Sequence, residues 1–133
     1  MTTAAISGVG TLFKRETVTI AEINSITGPG MTRQTIDVTS LDSTGGYREF
    51  ITGFRDGGTV VLNMNFKKAN YDVFLADFEA NGTVSYSIVL NDTGASQLDF
   101  EGLVTDLPLT IPTDDKVTMD VTIKVSGAVT FTS

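Results

Sequence analysis

KVTMDVTIKVSG, residues 116–127, alternates without a break. Val117, Met119, Val121, Ile123 and Val125 fall on one side, and Thr118, Asp120, Thr122 and Lys124 on the other. A period of two marks a strand with one face on a core and the other in water. Gly127 is expected to close it. The same period recurs upstream in TVVLNMNF (59–66), where Val60, Leu62, Met64 and Phe66 share a face, and in TVSYSIVL (83–90), where Val84, Tyr86, Ile88 and Leu90 point inward. In LDFEGLVTDL (98–107), Leu98, Phe100 and Val104 oppose Asp99, Glu101 and Thr105.

Between these runs the signals are shorter. TLFKRE (11–16) reads as a short strand, and in TVTIAEINSITG the parity set by Val18 and Ile20 breaks before Ile23 and Ile26, as a bulge near Ala21 and Glu22 would do. GPG (28–30) and NDTG (91–94) are turns, and Met31 to Thr39 is an extended, mostly polar segment. NYDVFLADFEANG is the one helical pattern. Tyr71, Phe74, Leu75 and Phe78 are spaced for one stripe, Asn70 stands as the cap, and Asn81 with Gly82 forms the stop. Residues 1–10, small and Gly-rich, read as a flexible arm. With about seven strands and one helix, the expected fold is mainly β: an antiparallel β-sandwich or partly open barrel with one short α-helix and a long projecting loop. The 133 residues are expected to form one domain, 1–133.

That loop is IDVTSLDSTGGYREFITGFRDGG, residues 36–58. Compact domains rarely carry a connection of this length unless it is disordered or engaged from outside. Tyr47, Phe50, Ile51 and Phe54 argue against disorder, which is poor in such residues. Two pairs of neighbouring opposite charges, Arg48 with Glu49 and Arg55 with Asp56, flank these apolar side chains, a composition suited to the rim and core of an interface. A solvated loop whose aromatics fold back on their own body fits the residues equally well.

Composition removes most chemistry. The chain has no histidine and no cysteine, so Ser-His-Asp triads, Cys-His pairs, disulfides and the common zinc sites are impossible. No catalytic, metal or cofactor residues are expected. Asp99 and Glu101 share a strand face about 7 Å apart, near the spacing of glycosidase carboxylates, but such a pair on a wet strand is far more often plain surface. Gly-rich turns match neither a phosphate loop nor an EF-hand. Sixteen acidic and nine basic residues give a net charge of −7, which disfavours adhesive binding to nucleic acid. The sequence shows no signal-peptide pattern and no apolar run long enough for a membrane span, so no membrane is expected and synthesis in the cytoplasm is.

Three pieces, ITGPGMTRQTIDVTS (26–40), YREFITGFRDGGTVVLNMNF (47–66) and DDKVTMDVTIKVSG (114–127), occur in an order and at a spacing that resembles a known family. The chain is similar to the tail tube (major tail) proteins of long-tailed bacteriophages with non-contractile tails. The resemblance implies a virion structural protein without catalysis, a small β-sandwich that forms hexameric rings stacked into a hollow tube through which DNA passes at ejection. Its partners would be other copies of itself and the tape measure, tail tip and tail terminator proteins. Residues 40–58 would be the assembly loop, with Tyr47, Arg48, Glu49, Phe50, Phe54, Arg55 and Asp56 at the subunit or ring contact. Polar strand positions Asn63, Asn65, Asp99, Glu101 and Asp120 are lumen candidates, although Lys124 on the face of Asp120 interrupts an acidic lining. The alternatives are the tube subunit of a contractile injection or secretion system, and a small carbohydrate-binding β-sandwich module. The latter is disfavoured by the absence of Trp and by aromatics assigned to core faces.

Overall fold

A computed structural model describes residues 6–132. Its strands are β1 (Leu12–Arg15), β2 (Val18–Ile20), β3 (Ile23–Thr27), β4 (Thr32–Asp37), β5 (Phe50–Asp56), β6 (Thr59–Asn65), then helix α1 (Lys68–Glu79), then β7 (Val84–Val89), β8 (Gln97–Asp106), β9 (Leu109–Thr110) and β10 (Thr118–Thr132). A 3-10 turn sits at Thr44–Gly46. The pairings among these strands are antiparallel, and the main sheet runs β2-β1-β7-β8-β10-β6-β3, with β9 also on β10. Among the described residues, β4 and β5 pair only with each other.

β2 and β3 are consecutive in sequence yet border opposite ends of the sheet. Two residues, Ala21 and Glu22, join them, so the sheet must curl until its ends approach. The expected mainly β fold is therefore present as the partly open barrel. The parity break is real, but it is a corner where the chain changes neighbours. Glu22 takes φ 67° there, and a register shift between Ile23 and Ser25 follows. β10 lies between β8 and β6, and the alternation read from residues 117–125 is the burial observed: Met119, Val121, Ile123 and Val125 are buried. Val60, Leu62 and Met64 of β6, Tyr86 and Ile88 of β7, and Phe100 and Val104 of β8 complete that face with Phe13. Tyr86 is the hub of the aromatic packing, 5.7 Å from Phe13 and 5.9 Å from Phe100 between ring centroids.

Several expectations need correction. Gly127 does not close the last strand: β10 bulges between Ser126 and Thr130, Gly127 adopts φ 84°, and pairing with β8 resumes at Thr130. The helix begins after Lys67, not at Asn70, and ends before Asn81 and Gly82, with Ala80 in the capping place. Asn70 is buried and its amide donates to the carbonyl of Ala21 at 2.9 Å; an unpaired buried amide would cost more than a cap returns. The inward stripe is also rotated. Phe74 is fully buried, but Phe78 is exposed and Asp77 takes the inward place. Phe66, expected in the core, is also exposed.

Asp77 is tolerated inside because every contact it makes is a strong one. Arg15 grips it with two donors, Nε at 2.8 Å and Nη2 at 2.6 Å, and the Tyr86 hydroxyl donates to it at 2.7 Å. Paired geometry of this kind offsets the desolvation of a carboxylate. The three residues tie α1 to β1 and β7. Hydrogen bonding to Asp77 raises the Arg15 pKa further. Burial, then the bond to Asp77, pushes the Tyr86 phenol well above its usual value of 10.0.

Candidate assembly surface

Residues 40–58, expected as a loop, belong to a hairpin. β4 and β5 pair from Thr32 opposite Asp56 to Asp37 opposite Phe50, and Val38 N–H to Glu49 C=O continues the ladder at 2.9 Å. The strands escaped sequence reading because neither face is buried: every residue of β4 is exposed, and so is every residue of β5 except the partly covered Gly53. Alternation encodes burial, and a ribbon in solvent has none to encode.

The tip is ordered by its own side chains. Asp37 accepts from Thr39 N–H at 2.8 Å and from Arg48 Nη1 at 2.9 Å. Thr39 Oγ1 accepts from Glu49 N–H at 2.8 Å, and Ser43 Oγ donates to Glu49 at 2.7 Å. The bonds from Thr39, with Arg48 adding less, hold the Asp37 carboxyl below the usual range. At the root, the Gly58 N–H and then Lys124 do the same for Asp56, with Lys124 Nζ at 2.9 Å. Gly58 has φ +75°, and any Cβ there would run into the Gly30 carbonyl. Val125 N–H donates to the Gly58 carbonyl at 3.0 Å. The hairpin is thus rooted firmly on β10.

The hairpin exposes large apolar side chains among its polar ones. Leu41 is fully exposed, Phe54 88% and Tyr47 77%, with Phe50 and Ile51 more than half exposed. Met31, Ile36 and Val38 add to the set; in sequence they are hidden, because residues 31–39 read as polar. A two-stranded hairpin is marginal alone, and these exposed apolar side chains are spread along it from Met31 to Phe54. Burying each of Leu41, Phe50, Ile51 and Phe54 would contribute about 1.5–3 kcal/mol. Of the contact residues expected from the sequence, Tyr47, Arg48 and Glu49 are therefore at the tip, Phe50 and Phe54 along β5, and Arg55 and Asp56 at the root.

The polar positions gather elsewhere. Asn63 and Asn65 of β6, Asp120 of β10, and Asp99 and Glu101 of β8 all lie on the sheet face opposite the core, by alternation with the buried residues. Asn63 and Asp120 are direct partners, joined at 2.6 Å. Asn24 donates to both Asn63 and Asn65, at 3.1 and 3.0 Å, and Asn65 donates to Glu22. Asp99 accepts from Ser87 and Gln97, and Glu101 from Thr83. These carboxylates are occupied by hydroxyl and amide donors. Lys124, on the same face, is turned to Asp56.

The model of the lambda phage tail tube protein (TTP) family matches residues 7–132. The chain belongs to that family. It is a tail tube protein, and the carbohydrate-binding alternative falls away. A comparison with curated protein sequences gives no match. Among solved structures, this tail tube protein is similar to a chain in the virion of a native gene transfer agent particle, with TM-score 0.80 and 24% identity over 97% of this chain and 100% of that one. It is also similar to a chain in the tail of an empty gene transfer agent particle with C6 symmetry, with TM-score 0.76 and 21% identity over 97% and 100%. A chain of an extracellular contractile injection system, PVC, in its sheath/tube terminator, gives TM-score 0.79 at 12% identity over the full length of both. The fold is thus shared with tubes of contractile systems as well.

Proposed function

We propose that this tail tube protein is one subunit of six-membered rings that stack into a hollow tube, that DNA passes through the tube at ejection, and that no catalytic step is involved. The observation that carries the reading is the hairpin of residues 32–56, ordered and rooted, yet presenting its apolar side chains to solvent. A neighbouring copy is the natural cover. The exposed borders of the curled sheet at β2 and β3 support the same reading, since unpaired strand edges invite further strands and closure into a ring removes them. C6 symmetry in the similar gene transfer agent tail supports the ring order.

Within this reading Tyr47, Arg48, Glu49, Phe50, Phe54, Arg55 and Asp56 contact the adjacent subunit or ring. The face bearing Asn63, Asn65, Asp99, Glu101 and Asp120 lines the lumen, where hydrogen-bonded amides and carboxylates offer DNA little to adhere to. Residues 1–133 act as a single domain, and tape measure, tail tip and terminator proteins are the further partners. Negative-stain microscopy of concentrated protein tests this: hollow tubes or six-fold rings are expected. A chain that stays monomeric at every concentration, and after seeding with tail tips, overturns it.

A further inference from the structure

Arg33 of β4 and Arg55 of β5 are direct cross-strand partners. Like charges placed opposite one another destabilise a sheet, and a free two-stranded ribbon has little stability to lose. Among the described residues neither guanidinium forms an ion pair. Arg33 Nη2 donates to Thr52 Oγ1 at 2.9 Å. The adjacent acid, Asp56, is taken by Lys124 and the Gly58 N–H. Both arginines line a cleft of about 330 Å³ between the hairpin root and the bulged end of β10, with Met31, Ala128 and Val129 as its apolar lining. Two guanidiniums without a carboxylate partner above an apolar cleft have the chemistry to receive carboxylates with an apolar neighbour.

A complement exists at the opposite end of β10. In the turn of residues 111–116, Ile111 is 72% exposed. Asp114 and Asp115 are exposed and neither forms an ion pair among the described residues. Thr118 and Ala128 are ten residues apart on one strand, about 33 Å at strand rise, so a copy cannot bring its own turn to its own cleft. We infer that the 111–116 turn of one copy docks in the Arg33–Arg55 cleft of the next, with Ile111 against Met31 and Val129 and the two carboxylates on the two guanidiniums. The contact is head-to-tail, so it propagates from copy to copy, and its charges select the pairing. Asp42 beside Leu41 and Glu79 beside Phe78 are competing acids, but each offers one carboxylate to two arginines. The inference rests on the reading that copies of this chain assemble with one another.

The chain has no native cysteine, which allows a direct test. Arg55→Cys with Asp114→Cys, oxidised under conditions in which wild type assembles, is expected to give a ladder of covalent multimers on a non-reducing gel. Arg55→Cys with Asp42→Cys is expected to give none. Independently, Arg33→Glu with Arg55→Glu should raise the concentration needed for assembly about tenfold or more, with the circular-dichroism melt unchanged, and adding Asp114→Arg with Asp115→Arg in the same chain should restore it. Assembly of Arg33→Glu/Arg55→Glu at the wild-type concentration, failure of the fourfold swap to restore it, or a ladder from the Asp42 pair instead overturns this contact. Those results with wild type still forming tubes leave the tube reading standing. A wild type that never assembles removes both.

Discussion

Replacing Asp77 by Ala should cost this protein more than any surface change. Asp77 has a side chain 3% exposed and accepts three hydrogen bonds, two from Arg15 and one from Tyr86. Removing one member of a buried ion pair costs about 3–5 kcal/mol. The Arg15 side chain is 27% exposed and can turn into water, which moves the loss to the lower end of that range. The Tyr86 hydroxyl has no such escape, and an orphaned buried donor adds about 1–3 kcal/mol. A net loss of about 4–6 kcal/mol is expected, equivalent to a fall in Tm of about 15–20 °C for a chain of this size. Asp77→Asn keeps an acceptor for Tyr86 and should cost about half as much. Urea unfolding followed by far-UV circular dichroism, with the slope m unchanged, gives the numbers. A loss for Asp77→Ala under about 1 kcal/mol would refute the claim that this cluster fastens α1 to the sheet.

Tyr86 gives the protein an alkaline limit. Its pKa is raised on folding, so the stability it contributes is fully present below pH 10 and is lost as pH rises above it, at about 1.4 kcal/mol per unit; Tyr86→Phe should be less stable at pH 7 yet flatter above pH 10 in the same urea titrations. Phe54→Ser should leave the monomer melt within about 0.5 kcal/mol of wild type while abolishing tubes in the microscope, and a variant that still assembles normally would remove Phe54 from the contact. Gly58→Ala combines a left-handed backbone with a collision at the Gly30 carbonyl and should cost about 1–3 kcal/mol, with hydrogen exchange rising first across β4 and β5. As pH falls below 3.8, the bonds held by ionised Asp37 and Asp56 are lost, so the protection of the Thr39 and Gly58 amides, measured as exchange relative to the intrinsic rate at each pH, should fall there and stay constant at higher pH.

Where a strand had one face buried, the sequence was enough. β6, β7, β8 and β10 were legible because Leu62, Ile88, Phe100 and Val121 each sit two residues from another apolar side chain on the same face. Where burial does not vary, the code is silent: β4 and β5 are wet on both sides, and the pairing of Arg33 with Arg55 across a stretch read as loop could not be seen. Polar residues turned inward misled in another way. Asn70 and Asp77 carry the inner helix stripe, and nothing local says that Ala21 and Arg15, distant in sequence, will satisfy them. The apolar residues Tyr47, Phe50 and Phe54 stand out in the sequence, but composition alone fits a loop folded back on its own body equally well; their exposure is visible only in the structure. The cleft at the hairpin root was not legible, since it is made jointly with the bulge at Gly127 to Val129.

The place of β10 in the sheet has a consequence for biosynthesis. It separates β6 from β8, and a ribosome makes it after both. Until it emerges, the nascent chain holds two incomplete half-cores with no shared neighbour, and the root of the hairpin lacks the Val125 and Lys124 partners that fix its angle. On the proposed assembly, products truncated before β10 are expected to be poor recruits for a growing tube.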